Sequence, residues 1–246
     1  MPELRSFTEM DPSDALIIVA FPGAGAASPI AAQYLIQNLH MPLVGDLVLE
    51  GMDHLVHVQN GRPSSPIRIH GGDVACEVGG PCRRTYVVST ELPLPPEAAP
   101  AVAEAILAWA HDARLILGLD AVTRSDDDDT PDVYHIACND DVAKRLESTQ
   151  APPIGQGLMS GVTGALLAQA GREGRVGTLV VEARKDHPDG RAAAALVTAL
   201  DPLIPQIEID AGPLLADAMK LEEQILRAVS EAEAAQQPRR PGHTFI

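Results

Sequence analysis

The chain has 246 residues, of which 46% are hydrophobic and 21% charged, a balance typical of a globular protein rather than a disordered one. It carries 18 Lys and Arg against 34 Asp and Glu, and a net charge of −16 disfavours binding to nucleic acid or anionic lipid. The 3 cysteines show no C-x-x-C spacing, which argues against a disulfide framework and a zinc ribbon.

The chain start and the hydropathy pattern bear on localisation. Residues 1–15 lack the basic and apolar stretches of a signal peptide, and the longest strongly apolar run, residues 15–21, is too short to span a bilayer. A soluble, cytoplasmic protein is therefore expected.

The first elements form a strand, a glycine-rich turn, a helix and a second strand. Residues 16–21 are continuously apolar, which is typical of a buried parallel strand. The turn 22–28 follows, with Ser28 as the predicted N-cap of a helix over 29–39. A strand over 44–50 completes a predicted βαβ unit.

The rest of the chain alternates helices with strands after a region of short hairpins at 51–90. This order predicts an α/β fold with a mostly parallel or mixed sheet and helices on both faces. We expect one domain over 1–235 and a flexible tail over 236–246. Further helices are predicted at 101–114, 141–148, 162–172, 189–203 and 212–235, and strands at 115–119, 133–138 and 176–181.

The turn 22–28 is a candidate anion-binding site, because backbone N–H groups before a helix can hold an anion. Gly23 and Gly25 match two glycines of a dinucleotide-binding motif, Ser28 stands in place of the third, and Glu50 is the candidate acid. A tight turn that requires glycine is the favoured alternative.

The turn 155–161 is a second candidate, with Gly157, Ser160 and Gly161. It does not fit the G-x-S-x-G nucleophile motif, because Ser160 comes three residues after Gly157. Ser160 is better explained as a helix N-cap. Neither turn is followed by G-K-[ST], which excludes a Walker nucleotide site.

Other polar residues suggest no catalytic set, metal site or cofactor. His54 and His57, beside Asp53, lack further ligands at a telling spacing, and the acidic run 126–129 lacks the pattern of a calcium loop. Asp186 and Asp189 follow a predicted strand, where α/β folds place sites, but a helix cap at Asp189 is favoured.

Several stretches, taken in order, resemble the PAC2 family of proteasome assembly chaperone 2-like proteins. The resemblance covers about residues 15–230. It lies in the apolar strand and P-G-x-G turn with the AAQYL helix, in VGDL, in SPIRI, in GLMSGVTGALLAQA, and in VVEA with Asp189 and the following Ala-rich helix.

This resemblance implies a three-layer αβα fold, similar to a phosphorylase or hydrolase core but without a known reaction. It also implies a non-enzymatic partner of proteasome 20S α subunits, an assembly chaperone or docking factor, that forms homo-oligomers. The family's hydrophobic-Tyr-X tail corresponds here to Thr244, Phe245 and Ile246, which differ from it in the first two residues. The alternative is an enzyme or binding protein for anions or nucleotides that uses the two glycine turns.

Overall fold

The computed structural model describes residues 2–52, 54–74, 83–124, 130–185, 187–204 and 210–217. Residues 212–217 are helical. The α-helices are α1 (Ala27–Asn38), α2 (Ala99–Trp109), α3 (Asp140–Leu146), α4 (Gly161–Ala170) and α5 (Gly190–Leu200). The strands are β1 (Glu3–Ser6), β2 (Leu16–Ala20), β3 (Leu43–Val48), β4 (His57–Gln59), β5 (Arg62–Ser64), β6 (Ile67–Val74), β7 (Arg83–Ser89), β8 (Leu115–Thr123), β9 (Val133–Ala137) and β10 (Val176–Ala183).

Eight strands form one mixed sheet in the order β1-β3-β6-β7-β2-β8-β10-β9. The neighbours β7, β2, β8 and β10 run parallel, and the strands at both sides pair antiparallel. Strands β4 and β5 form a separate hairpin around Asn60 and Gly61. The predicted α/β class with a mixed sheet is confirmed.

Helices cover both faces of the sheet, so the predicted three layers are present. Along β2, Leu16 and Ile18 face a core shared with α1 and α5, whereas Ile17 and Val19 face a core shared with α2 and α4. All four side chains are fully buried. A continuous apolar run suits this strand because neither of its faces meets water.

The predicted βαβ unit is present, but its strands are not neighbours. Strands β2 and β3 run in the same direction, while β7 and β6 lie between them. Helix α1 therefore spans two intervening strands. Helix α2 ends at Trp109, five residues before its predicted end, whereas a 3-10 turn over Asp201–Leu203 continues α5 to the predicted end.

A row of charged side chains connects the neighbouring strands β1, β3 and β6. Asp46 on β3 lies opposite Arg5 on β1 and Arg68 on β6. Its carboxylate is fully buried and accepts hydrogen bonds from Arg5 Nε, at 2.8 Å, and from Arg5 Nη2, at 2.6 Å. It also accepts the backbone N–H of Ser65 at 2.6 Å. Buried Arg68 in turn donates to the half-exposed Glu91.

Among the described residues, none of the helices combines the length and the apolar character needed to cross a membrane.

Candidate functional site

The carboxyl ends of β2, β3, β7, β8 and β10 share one edge of the sheet, because these five strands run in the same direction. From β2 the chain continues to one side, towards β3, whereas from β8 it continues to the other side, towards β9 and β10. Ligands of open α/β sheets bind in the crevice at such a divergence. The β2–β8 edge is therefore the place to look for a site, and the turn 22–28 lies there.

Gly25 in this turn is required by conformation and by packing. Its φ is +58°, and an added Cβ would lie 2.8 Å from the backbone oxygen of Arg184 and 2.8 Å from Cβ of Asp189. Its carbonyl accepts the Asp189 N–H at 2.8 Å. Protein atoms therefore occupy the space beside this glycine, which supports the interpretation of the turn as a packing feature.

The predicted N-cap at Ser28 is wrong. Helix α1 begins at Ala27, with Ala26 as its cap at φ +48°, and Ser28 lies in the first helical turn. Gly25 and Ala26 both adopt left-handed conformations, so the helix begins earlier than the side-chain pattern indicates. Ser28 is fully buried, and its hydroxyl has no hydrogen-bond partner among the described residues.

The second turn has the predicted cap position but no capping bond. Ser160 has extended backbone angles at the N-cap of α4, and its side chain makes no capping hydrogen bond. Gly161 has a φ of +67°, with open space where a Cβ would lie. Leu158 in the same loop is 100% exposed.

Asp120, which sequence analysis did not single out, lies between the two turns. It accepts the Ala121 N–H at 2.8 Å, and the hydroxyl of Thr163 in the first turn of α4 is near enough to favour its charged form. An added Cβ at Gly23 would lie 3.1 Å from Asp120 Oδ1. The Asp120 carboxylate therefore lies beside both candidate turns. The backbone of the turn 22–28 approaches it at Gly23, and the start of α4 approaches it at Thr163.

The Asp120 carboxyl group has a pKa raised above its ordinary value, because desolvation disfavours the charged form more than the Ala121 N–H and the Thr163 hydroxyl favour it. The sequence offered little indication that Asp120 belongs to a site, because a single polar residue near the end of an apolar strand is common. Gly118, a glycine within the same apolar strand, is the residue that could have indicated a close approach of another element. An added Cβ there would lie 2.6 Å from Thr163 Cγ2, so this glycine lets α4 approach β8 closely.

We expect Asp120→Asn to raise the melting temperature at pH 7. A carboxyl group whose pKa is raised in the folded state makes the protein lose stability as pH rises through that pKa, whereas the neutral amide does not titrate and its oxygen still accepts the Ala121 N–H. The gain should vanish below the unfolded-state value of about 4. Thermal unfolding from pH 3 to 8 measures this, and an equal difference at both ends would contradict it.

The other candidate residues either lie far from the turn 22–28 or have a structural role beside it. Glu50 follows β3, three strands away from β2, which places it about 14 Å from the turn 22–28 by the ordinary strand spacing. Asp189 is buried and caps α5 by accepting the Ala192 N–H at 3.0 Å, as predicted, and it also accepts the Arg184 N–H at 2.9 Å. Where the structure describes the chain, no cluster of His, Cys, Asp or Glu could hold a metal ion.

The remaining candidates lie outside the described residues or form no site. His54 is exposed, and the described part of the chain offers no partner for the buried Nδ1 of His57. The thiol of half-buried Cys138 donates to the carbonyl of Gly174 at 2.8 Å. Asp53, Cys76, Cys82, the run 126–129, Asp186 and the tail residues Thr244, Phe245 and Ile246 lie outside the described residues.

Comparison with known proteins gives a family match over most of the chain. The profile of the PAC2 family matches residues 17–229. Curated protein sequences give no significant match.

Solved structures share the whole fold. Pyrococcus furiosus PbaA, described as an archaeal homolog of proteasome-assembly chaperone, is 25% identical with a TM-score of 0.81, over 96% of this chain and 94% of its own. Pyrococcus furiosus PbaB, described as an archaeal proteasome activator, is 22% identical with a TM-score of 0.78, over 93% of this chain and 98% of its own. A PAC2 family protein from Streptomyces avermitilis is 20% identical with a TM-score of 0.65, over 87% of this chain and 95% of its own.

Proposed function

Because this chain belongs to the PAC2 family, we propose that it is a non-enzymatic proteasome factor, an assembly chaperone or docking protein that binds 20S α subunits. The observation that carries this proposal is the likeness to PbaA, which extends over 96% of the chain. A likeness of this extent includes the helices and loops that surround the sheet as well as the sheet itself.

The chain end supplies a plausible means of docking. Thr244, Phe245 and Ile246 combine an aromatic side chain, an aliphatic side chain and, at Ile246, a carboxylate wherever this residue ends the protein. Aromatic anchors that enter pockets dominate many interfaces, and terminal carboxylates are recognised by backbone or basic donors. We propose that these three residues insert into a pocket of the α-subunit ring.

The test is capture of proteasome from the source organism on chain tagged at its N-terminus. We expect the full chain to retain 20S α subunits, identified by mass spectrometry. Phe245→Ala should weaken binding by about 30-fold, the loss typical of an interface hot spot. The matched control is Phe7→Ala, which removes a phenylalanine that is 47% exposed on the folded body and should change binding little.

Two outcomes would redirect the proposal. Equal binding by the full chain and Phe245→Ala would place the contact on the folded body. The second outcome is that neither protein retains an α subunit, while ATP or phosphate at 100 times its Kd stabilises the chain by about 2.7 kcal/mol. Ligand binding at one of the two glycine turns would then replace the proteasome proposal. The candidate residues are Gly23, Gly25 and Ser28 in one turn and Gly157, Ser160 and Gly161 in the other.

A further inference from the structure

The hairpin of β4 and β5 presents an apolar face to solvent. Successive side chains of a strand point to opposite faces, and side chains directly opposite each other on paired strands share a face. His57 pairs with Ser64, and Val58 pairs with Pro63. Val58 is 61% exposed, and Val56, which precedes His57, is 63% exposed. The hairpin face that carries Val56, Val58 and Pro63 is therefore turned outward.

The opposite face of the hairpin is polar and lies against the body of the protein. Ser64 is buried, and Nδ1 of His57 is buried as well. Burial and, after it, the nearby charge of Arg68 lower the pKa of His57, so the imidazole lies near β6. Two strands alone are marginally stable in water, and packing against a helix is one way to stabilise them. The outward valines therefore mark a surface that suits a covering element.

Residues 212–235, predicted to form an amphipathic helix, contain an apolar stripe of the right kind. At 100° per residue, Leu214, Leu221, Ile225 and Val229 lie on one side of such a helix. Leu214, the first of them, is partly buried and packs against the core. The side chains that follow on the same stripe then face the body of the protein as well, wherever the helix continues along its surface.

The charges of the two segments are complementary. Residues 54–72 contain no Asp or Glu, in a chain with a net charge of −16. Arg62 of β5 is exposed, and no described acidic residue forms an ion pair with it. On the predicted helix, Glu222 and Glu231 lie on either side of the apolar stripe. The hairpin surface therefore favours an apolar segment bordered by carboxylates over a basic one.

The chain leaves the described structure close to the hairpin. Asp217, the last described residue, lines a cavity together with Glu91. Glu91 bonds to Arg68, and both of these charges act on His57 in the hairpin. As a helix, the 18 residues 218–235 span about 27 Å, whereas β4, with 3 residues, spans about 10 Å. The segment is therefore long enough to cross the whole hairpin.

We propose that residues 218–235 of the same chain pack as a helix on the outward face of the hairpin, with the apolar stripe on Val56 and Val58. The helix then supplies the cover that the two strands lack, and residues 236–246 start from the hairpin side of the molecule. This inference is independent of the proposed function, because it concerns the purified chain alone.

Photo-crosslinking of the full chain tests this packing. Ile225 is replaced by benzoylphenylalanine, the protein is irradiated, and the joined peptides are identified by mass spectrometry. We expect cross-links within one chain to residues 52–63. Arg227 is the matched probe position, because it lies about 200° away, on the other side of the helix. The same photoreactive residue at Arg227 should give a yield lower by about fivefold.

A substitution in the hairpin gives a second readout. Val58→Asp places a charge on the outward face and should lower the yield from Ile225 by about fivefold. Leu158→Asp is the control, since it makes the same kind of change at a leucine that is 100% exposed in the loop before α4, and it should leave the yield unchanged.

Mixing isotopically labelled and unlabelled chains identifies cross-links between two chains. Such cross-links would assign the hairpin face to a second copy and overturn the proposal. Cross-links to other surfaces, no cross-link, equal yields from the two probe positions, or a yield insensitive to Val58→Asp would each overturn it as well.

Discussion

Replacement of Gly25 by alanine is expected to lower the free energy of unfolding by about 3–4 kcal/mol. Two effects add at this position. The left-handed backbone, with φ at +58°, is unfavourable for any residue with a Cβ, and the new Cβ would lie 2.8 Å from the Arg184 oxygen and from Asp189 Cβ. A backbone oxygen cannot rotate away, so the segment that leads into α5 must shift. Urea unfolding of both proteins at pH 7 measures the difference.

Gly161 provides the matched control, because it has a similar φ of +67° but open space where the Cβ would lie. Gly161→Ala should therefore show the backbone effect alone, about 1 kcal/mol. If the two substitutions cost the same, close packing is not what requires glycine at 25. The hypothesis of a ligand-binding turn would then regain support.

Asp46→Ala is expected to cost about 3 kcal/mol of unfolding free energy. The carboxylate is fully buried and accepts hydrogen bonds from Arg5 Nε at 2.8 Å, from Arg5 Nη2 at 2.6 Å and from the Ser65 N–H at 2.6 Å. Its loss leaves the buried Ser65 N–H unsatisfied and removes the negative charge opposite the buried Arg68. Chemical denaturation at pH 7 checks the size of the effect.

Asp112→Ala is the matched control for this change. Asp112 is exposed and its carboxylate lies 2.8 Å from the imidazole of His111, so its removal should change stability by no more than about 0.5 kcal/mol. A loss below 1 kcal/mol for Asp46→Ala, roughly that of a surface pair, would show that the charged row contributes little to joining β1, β3 and β6.

Local patterns in the sequence were sufficient where one element determines its own environment. The apolar runs at the start of β2 and β8 predicted buried strands, because a continuous apolar stretch suits a strand that is covered on both faces. Asp189 was recognised as a cap because its carboxylate bonds to a backbone N–H only three residues ahead. The order of strands and helices likewise predicted an α/β class.

The features of the candidate site depended on contacts between distant parts of the chain. No local pattern indicates that β7 and β6 lie between β2 and β3, because strand order follows from which edges pair after collapse. For the same reason the half-buried position of Asp120 could not be recognised, since Thr163 and Gly23 approach it from two other segments. The Ser28 cap was predicted wrongly because Gly25 and Ala26 adopt left-handed conformations, so that α1 already begins at Ala27.

The sequence by itself determined the net charge, the apolar strands and the family resemblance, since all of these follow from residue types and short spacings. The tertiary structure decided the β2–β8 edge, the burial of Asp46 and the half-buried position of Asp120 between the two turns. Each of these requires residues from separate segments to meet. These long-range contacts depend on competition among all the contacts that the whole chain could form, so no short stretch of sequence predicts them.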